Sequence, residues 1–391
     1  MSDRTSRDGH RPLLFYGDSY RHPDVYHLTR FLAPDPFIAL EDGEERVLVT
    51  NSLEQGRARK ESRATAVRNV DEFGQRELAA AGIIGDQAAA TIIQRLLAER
   101  DLRAAAVPRF FPLGVADALR GMGVELSVAE DLEQRRRAKR DDEIAAIEAA
   151  QRATEEAWAI GVEALRRADV RRDGALALDG AAFTAERLQA IVDGALLERN
   201  YSADGTICAP GTQSADPHAV GRGPLRAREA IVMDVFPQHK ATRYFADMTR
   251  TVSRGEPAAE IVRMYEVVKR AQDAGIAALR PGIIGREVHE LVEDLIYEAG
   301  YDTLRPSHKR RPDDPVTRGF IHGTGHGVGV EIHEAPSLGR TGTMALAVGD
   351  VVTVEPGIYD PDVGGVRLED LLVITADGSR NLTRAPRELV V

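Results

Sequence analysis

Four carboxylates interrupt runs of apolar, strand-forming residues, and they constrain the fold of this chain more than any other feature. Asp234 sits in IVMDVF, Asp247 in YFADMTRT, Glu355 in VVTVEPG and Glu369 in GVRLEDLLV. A carboxylate taken out of water is costly unless it is paired or bound to metal. A fold that clusters all four must supply cations, because uncompensated negative charges at close range do not stay ionised. A pair of divalent ions held ~3.5–4 Å apart by shared carboxylates meets that demand. Imidazole joins the ligands if the ion is a first-row transition metal rather than calcium or magnesium. His322, His326 and His333 are at hand in FIHGTGHGVGVEIHE, among glycines that let the backbone approach closely.

The pattern around these residues is doubled. Asp141 or Asp142 can cap a helix with Ile144, Ile147, Trp158, Val162 and Leu165 on a 3.6-residue period, and a second helix places Leu188, Ile191, Val192, Ala195 and Leu196 on one face. Strand-like runs follow at 206–209, 230–236 and 244–252. Helices carrying Ile261, Met264, Tyr265 and Val268, then Val288, Leu291, Val292 and Leu295, precede strand-like runs at 328–332, 351–355 and 366–374. Two helices then a hairpin, twice over, predict a pseudo-symmetric pair of α+β halves in one domain, each supplying two carboxylates.

Upstream, short strands alternate with helices. The runs 37–40 and 47–49 flank the turn-forming Glu41-Asp42-Gly43, a hairpin signal. A helix around 91–99, an apolar run at 104–107, a helix-like piece ending at Gly121 and a run at 124–128 complete a modest α/β domain. The predicted division is 1–132 and 133–391, within what 391 residues allow. EQRRRAKRDDE (133–143) reads as a solvated linker running into a helix rather than a basic recognition patch, because adjacent acids cancel its field.

Charge narrows the partners. Lys plus Arg number 51 against 62 Asp plus Glu, a net −11 that repels phosphate backbones and anionic lipid, so neither nucleic acid nor membrane is expected. No apolar run approaches the ~20 residues of a spanning helix. The single cysteine, Cys208, cannot form an internal disulfide or a thiolate zinc site and is expected to pack as a small hydrophobe. The charged start MSDRTSRDGH lacks the apolar core of a signal peptide, which predicts a cytoplasmic location.

The series Asp, Asp, His, Glu, Glu, carried by ADMTRT, HGTGHGVG with His333 seven residues past His326, VVTVEPG and VRLED, resembles the dinuclear metallopeptidases of the pita-bread fold. These include aminopeptidase P, prolidase and methionine aminopeptidase, with creatinase as a metal-free relative. DVYHLTRF (24–31) resembles a motif of the creatinase-type domain that precedes the catalytic domain in the proline-specific members. The resemblance implies an α+β pita-bread catalytic domain with a pseudo-twofold repeat, behind a smaller α/β N-terminal domain. It implies two divalent ions per chain, manganese first, with cobalt, zinc or iron as alternatives. Asp234 would bind one ion and Asp247 would bridge both; His326 and Glu355 would complete the other ion's shell, with Glu369 as second bridge.

The same resemblance implies hydrolysis of Xaa-Pro bonds, at the N-terminus of peptides or in dipeptides, by a hydroxide bridging the metals, in a homodimer. Glu355 would shuttle the proton. His218, in PGTQSADPHAV, and His333 match positions that contact the substrate and the tetrahedral intermediate, and His322 would orient ligands or shape the proline pocket. Arg367 stands where methionine aminopeptidases carry glutamine, which favours the proline-specific branch. Two residues apart on a strand, Arg367 and Glu369 are expected to face one pocket, the arginine holding a ligand carboxylate or receiving that of the substrate. The alternatives are a pita-bread relative acting on another small-molecule amide or as a lyase, and a non-catalytic binding protein. Intact ligand positions argue against the last. Two departures bear on the pocket: Phe236 replaces the glycine of the family's Asp-x-Gly in a lengthened turn, and the small side chains of GTGHGVG predict a roomier subsite near His326.

Overall fold

The computed structural model describes residues 11–308 and 318–391, so the start read above for a signal peptide lies outside the described residues. The chain divides into two compact units, Met1–Arg136 and Arg137–Val391.

In the first unit, Phe37–Asp42 and Glu45–Thr50 pair as the expected hairpin, with Gly43 at φ 61 in the turn, a conformation open to glycine. They are central in a six-stranded mixed sheet, in the order Ala66–Asn69, Glu45–Thr50, Phe37–Asp42, Leu13–Gly17, Ala104–Val107, Glu125–Val128. The helix predicted at 91–99 runs over Gly85–Glu99. Its first turns bury Ala88, Ala89 and Ala90, too small to register as a periodic apolar face.

The stretch 133–143 is not a solvated linker. Leu132–Arg137 is helical, and buried Arg136 meets Asp24 at 3.0 Å. Arg137 pairs with Asp350 at 2.6 Å and Lys139 with Glu334 at 3.0 Å, both carboxylates buried. The partners lie far away in sequence, which is why local composition hid them. The cap of the next helix, Asp141–Arg167, also differs from expectation. Arg140 is its N-cap, and the Arg140 N–H donates to Glu143 Oε2 at 2.9 Å. Asp141 and Asp142 stand exposed in the first turn, where the helix dipole favours them.

The second unit carries the doubled order. Asp141–Arg167 packs with Ala185–Glu198, and Ala259–Ala278 with Gly285–Glu298. Each pair closes over a glycine. A Cβ on Gly161 would lie 2.9 Å from Val192 Cγ2 and 3.0 Å from Met233 Cε; one on Gly275 would lie 3.1 Å from Val354 Cγ1 and 3.2 Å from Val292 Cγ2. In both halves the glycine thus lets a helix reach its partner helix and the strand residue just before a carboxylate, Asp234 or Glu355. Ile207–Pro210, Ile231–Val235 and Met248–Val252 form an antiparallel sheet in the first half. The second half has a four-stranded and a five-stranded sheet. Cys208 is buried in the first-half core, and burial pushes its thiol pKa up. No helix among the described residues is long and apolar enough to cross a membrane.

Three predicted strands are redrawn. Only Met248–Val252 of 244–252 is extended, because Tyr244 turns inward and its hydroxyl donates to Glu143 Oε1. The run 328–332 is a loop: the strands are Gly325–Gly327 and Glu334–Leu338. A Cβ on Gly327 would lie 2.4 Å from Ala335 O, so the glycines rather than the valines fit the ladder. The run 366–374 breaks into Gly364–Arg367 and Asp370–Thr375, in different sheets, where the Glu369 N–H leaves to donate to Thr249 O at 3.0 Å.

Candidate metal centre

Asp234 lies within Ile231–Val235 between Met233 and Val235, both in the core, so alternation turns its carboxylate to the other face. There Arg367 Nη2 donates to Oδ2 at 2.7 Å, while Oδ1 is buried without a hydrogen-bond partner. The other three carboxylates sit at strand ends: Asp247 before Met248–Val252, Glu369 before Asp370–Thr375, Glu355 after Val351–Val354. The Thr249 hydroxyl joins the halves, donating to Glu369 Oε2 at 2.7 Å and accepting from Arg367 Nε at 3.2 Å. Arg367 and Glu369 are therefore linked through a shared threonine and not as alternate residues of one strand.

His326 completes the cluster. Its Nδ1 lies 3.1 Å from Gly327 O, to which it can only donate, leaving Nε2 unprotonated in the neutral ring. That Nε2 lies 3.3 Å from Glu355 Oε1 and 3.6 Å from Asp247 Oδ2. Ligand atoms of Asp247, His326 and Glu369 all lie within 4.8 Å of one another. Burial, then mutual repulsion, pushes Asp247 and Glu369 well above the usual carboxylate range. Burial and the Asp234 charge, opposed by Arg367, push Glu355 up to about 7. Burial lowers the His326 pKa and keeps the ring neutral.

This donor set fits a divalent cation. A bare nitrogen facing carboxylate oxygens, an orphaned Asp234 oxygen and four acids against one guanidinium lack positive charge in one place. Carboxylate oxygens with imidazole suit a first-row ion.

The remaining predicted residues surround this cluster. His333 is exposed, with its ring edge-on to that of His326, centroids 4.4 Å apart, and desolvation with the His326 neighbour lowers its pKa. His218 is exposed on a loop pinned by Arg367 Nη1 donating to Pro217 O at 3.3 Å, and stands near enough to His322 and His333 to bear on their protonation. His322 is locked. Its Nδ1 donates to Gly323 O at 2.7 Å and its Nε2 accepts from the Tyr359 hydroxyl at 2.8 Å, which itself accepts from Arg367 Nη1 at 3.0 Å. Burial and the Arg367 charge bring the His322 pKa down to about 3.

Sequence reasoning missed Tyr359, Thr249 and Arg250. Arg250 is 1% exposed and uses all its donors: Nε to Pro386 O, Nη1 to Thr249 O and Glu369 O, Nη2 to Asp370 Oδ1 and Ala385 O. A charge inside MTRTV was the signal, the same one that marked the carboxylates. Of the two departures, the lengthened turn is packed rather than loose: Gln238 Nε2 donates to Val330 O at 3.2 Å and Phe245 N–H to Gly329 O at 2.9 Å. The glycines flanking His326 sit against neighbouring strands. Cβ atoms on Gly325 and Gly327 would meet Thr353 O and Ala335 O at 2.0 and 2.4 Å, so neighbouring strands already fill that space.

Residues 145–376 match metallopeptidase family M24. The chain is 38% identical over 198 residues to the "Uncharacterized peptidase YqhT" of Bacillus subtilis (strain 168), covering 49% of this chain and 51% of that one. It is 37% identical over 186 residues to an Xaa-Pro dipeptidase of Pyrococcus furiosus, covering 47% and 49%. These matches span about half the length of the curated relatives. The fold is that of the X-Pro aminopeptidase of Thermotoga maritima MSB8, with a TM-score of 0.80 over 98% of each chain at 23% identity.

Proposed function

We propose, from the premise that this chain belongs to metallopeptidase family M24, that it hydrolyses Xaa-Pro peptide bonds at the N-terminus of peptides or in dipeptides. The observation that carries this reading is the close approach of Asp247, His326 and Glu369, with Glu355 3.3 Å from His326 and a buried Asp234 oxygen that has no hydrogen-bond partner. These five residues would hold the metal. A divalent ion there polarises a carbonyl and acidifies a water. Four carboxylates against one arginine support two ions per chain, and the oxygen-rich donor set supports manganese.

The chain's own residues divide the remaining work. Glu355, 3.3 Å from His326 Nε2 at the edge of the cluster, would take the proton of the attacking water and return it to the leaving nitrogen. Arg367 holds Asp234 at 2.7 Å and so orients a ligand. His218 and His333 would donate to the substrate and to charge developing on its carbonyl oxygen. His322 has both nitrogens engaged, so it offers a neutral ring, edge-to-face with Phe320, as a wall for a proline ring. A bond to proline has no N–H on its leaving nitrogen, and electrophilic activation does not need one. A homodimer in the cytoplasm belongs to the same reading; light scattering and cell fractionation test it.

The function is tested on metal-stripped protein with a panel of Xaa-Pro and Xaa-Ala dipeptides, with and without manganese. Expected is hydrolysis of the proline members, restored by the ion. No turnover of any Xaa-Pro substrate with manganese, cobalt, zinc or iron overturns the reading.

A further inference from the structure

Among the buried carboxylates outside the cluster, Glu334 stands next to one of the site histidines. Glu334 opens the strand Glu334–Leu338 directly after His333, with its side chain 1% exposed. Lys139, 2% exposed, reaches it with Nζ 3.0 Å from Oε2. The other oxygen, Oε1, accepts the Glu331 N–H at 3.0 Å. Gly329 lies against the same group, where an added Cβ would stand 2.4 Å from Oε2, and its N–H donates to Glu331 O at 3.0 Å. The loop 328–333 is thus wrapped around one charged side chain. His333 comes off the end of that loop, with its ring edge-on to His326.

A buried ion pair is a weak source of stability, because desolvating two charges costs about as much as their attraction returns. Its geometric effect is larger: a carboxylate held by a buried ammonium and a backbone N–H has one available position.

We propose that the Lys139–Glu334 pair positions His333, setting loop 328–333 so that the imidazole faces the metal centre. Lys139 and Glu334 act through His333 and are positioning residues. The inference rests on the reading of His333 as a group that faces substrate.

The experiment separates positioning from folding. Lys139→Met and Glu334→Gln each remove one member of the buried pair and lower the melting temperature; the double variant removes both charges, keeps the acceptor for the Glu331 N–H and recovers most of the loss. In the double variant, metal content and stability near those of wild type are expected to accompany a kcat on Xaa-Pro dipeptide at least tenfold down, with KM changed less. In metal-free protein, the His333 ring-proton resonances, displaced by the neighbouring His326 ring, are expected to move toward those of a mobile histidine. Lys139→Arg, which keeps the charge but shifts the head group, is the second variant should the double one fail to fold, and is expected to move the same resonances. A stable double variant with wild-type kcat, or unmoved His333 resonances in whichever variant folds, overturns the proposal. The resonances do not depend on turnover, so inactive wild-type protein would count against the function while the positioning of His333 is still judged.

Discussion

Arg367 Nη2 donates to Asp234 Oδ2 at 2.7 Å, while Oδ1 of the same carboxylate is buried with no hydrogen-bond partner. The arginine thus holds one oxygen and leaves the other for a cation. Arg367→Gln removes the charge and the fork. Metal affinity should fall about 10–100-fold, as for other groups that orient a ligand, and kcat should fall alike for Xaa-Pro dipeptides and for amide-blocked ones. A rise in KM confined to dipeptides with a free carboxylate would assign Arg367 to substrate binding instead.

Asp247 is crowded by Glu369, Asp234 and Glu355. Asp247→Asn should lower the metal content measured by elemental analysis and cut kcat by about 10²-fold or more. Stability should move the other way: the metal-free variant should melt no lower than metal-free wild type, because a repelled, buried acid has become a neutral amide. Full metal content with normal turnover would remove Asp247 from the ligand set.

His218 and His333 stand outside the close-packed cluster. Their alanine variants should keep their metal and lose kcat by about 10²-fold if they donate to the transition state. Loss of metal in either would make that histidine a ligand.

His322 links stability to pH. Its pKa is about 3 in the folded chain against 6.5 ordinarily, so between these values the unfolded chain holds a proton that the folded one does not. The stabilisation is present above pH 6.5 and lost as pH falls, at roughly 1.4 kcal/mol per unit, or about 2 kcal/mol by pH 5. His322→Gln should flatten the decline in unfolding free energy between pH 7 and 5, measured by denaturant titration. An equally steep decline would mean that His322 is protonated in the folded protein.

Arg250 pairs with Asp370 at 2.7 Å and ties Thr249 and Glu369 to the segment around Pro386. Arg250→Met leaves a buried carboxylate unpaired and should cost about 3–5 kcal/mol of unfolding free energy. Arg250→Lys, with fewer donors in a different geometry, should recover only part of that. Equal denaturation midpoints for all three proteins would show the web to be inconsequential.

The sequence by itself determined which carboxylates interrupt apolar strands and the doubled order of elements around them. Asp234, Asp247, Glu355 and Glu369 betrayed themselves because a charge in an apolar run is costly wherever the chain folds. Helix periodicity marked both helix pairs for a similarly local reason: Leu188, Val192 and Leu196 need only their own spacing to define a face. What only the tertiary structure decided was who meets whom. Arg367 finds Asp234 from 133 residues away, Lys139 finds Glu334 from 195, and Tyr244 leaves its predicted strand for a glutamate 101 residues upstream. The loop 328–332 carries a strand's valines, yet Gly329 admits the Glu334 carboxylate and the chain wraps around it. Local pattern records what each residue requires from its surroundings, whereas the partner that meets the requirement is brought by the packing of distant segments, and no window along the chain contains both.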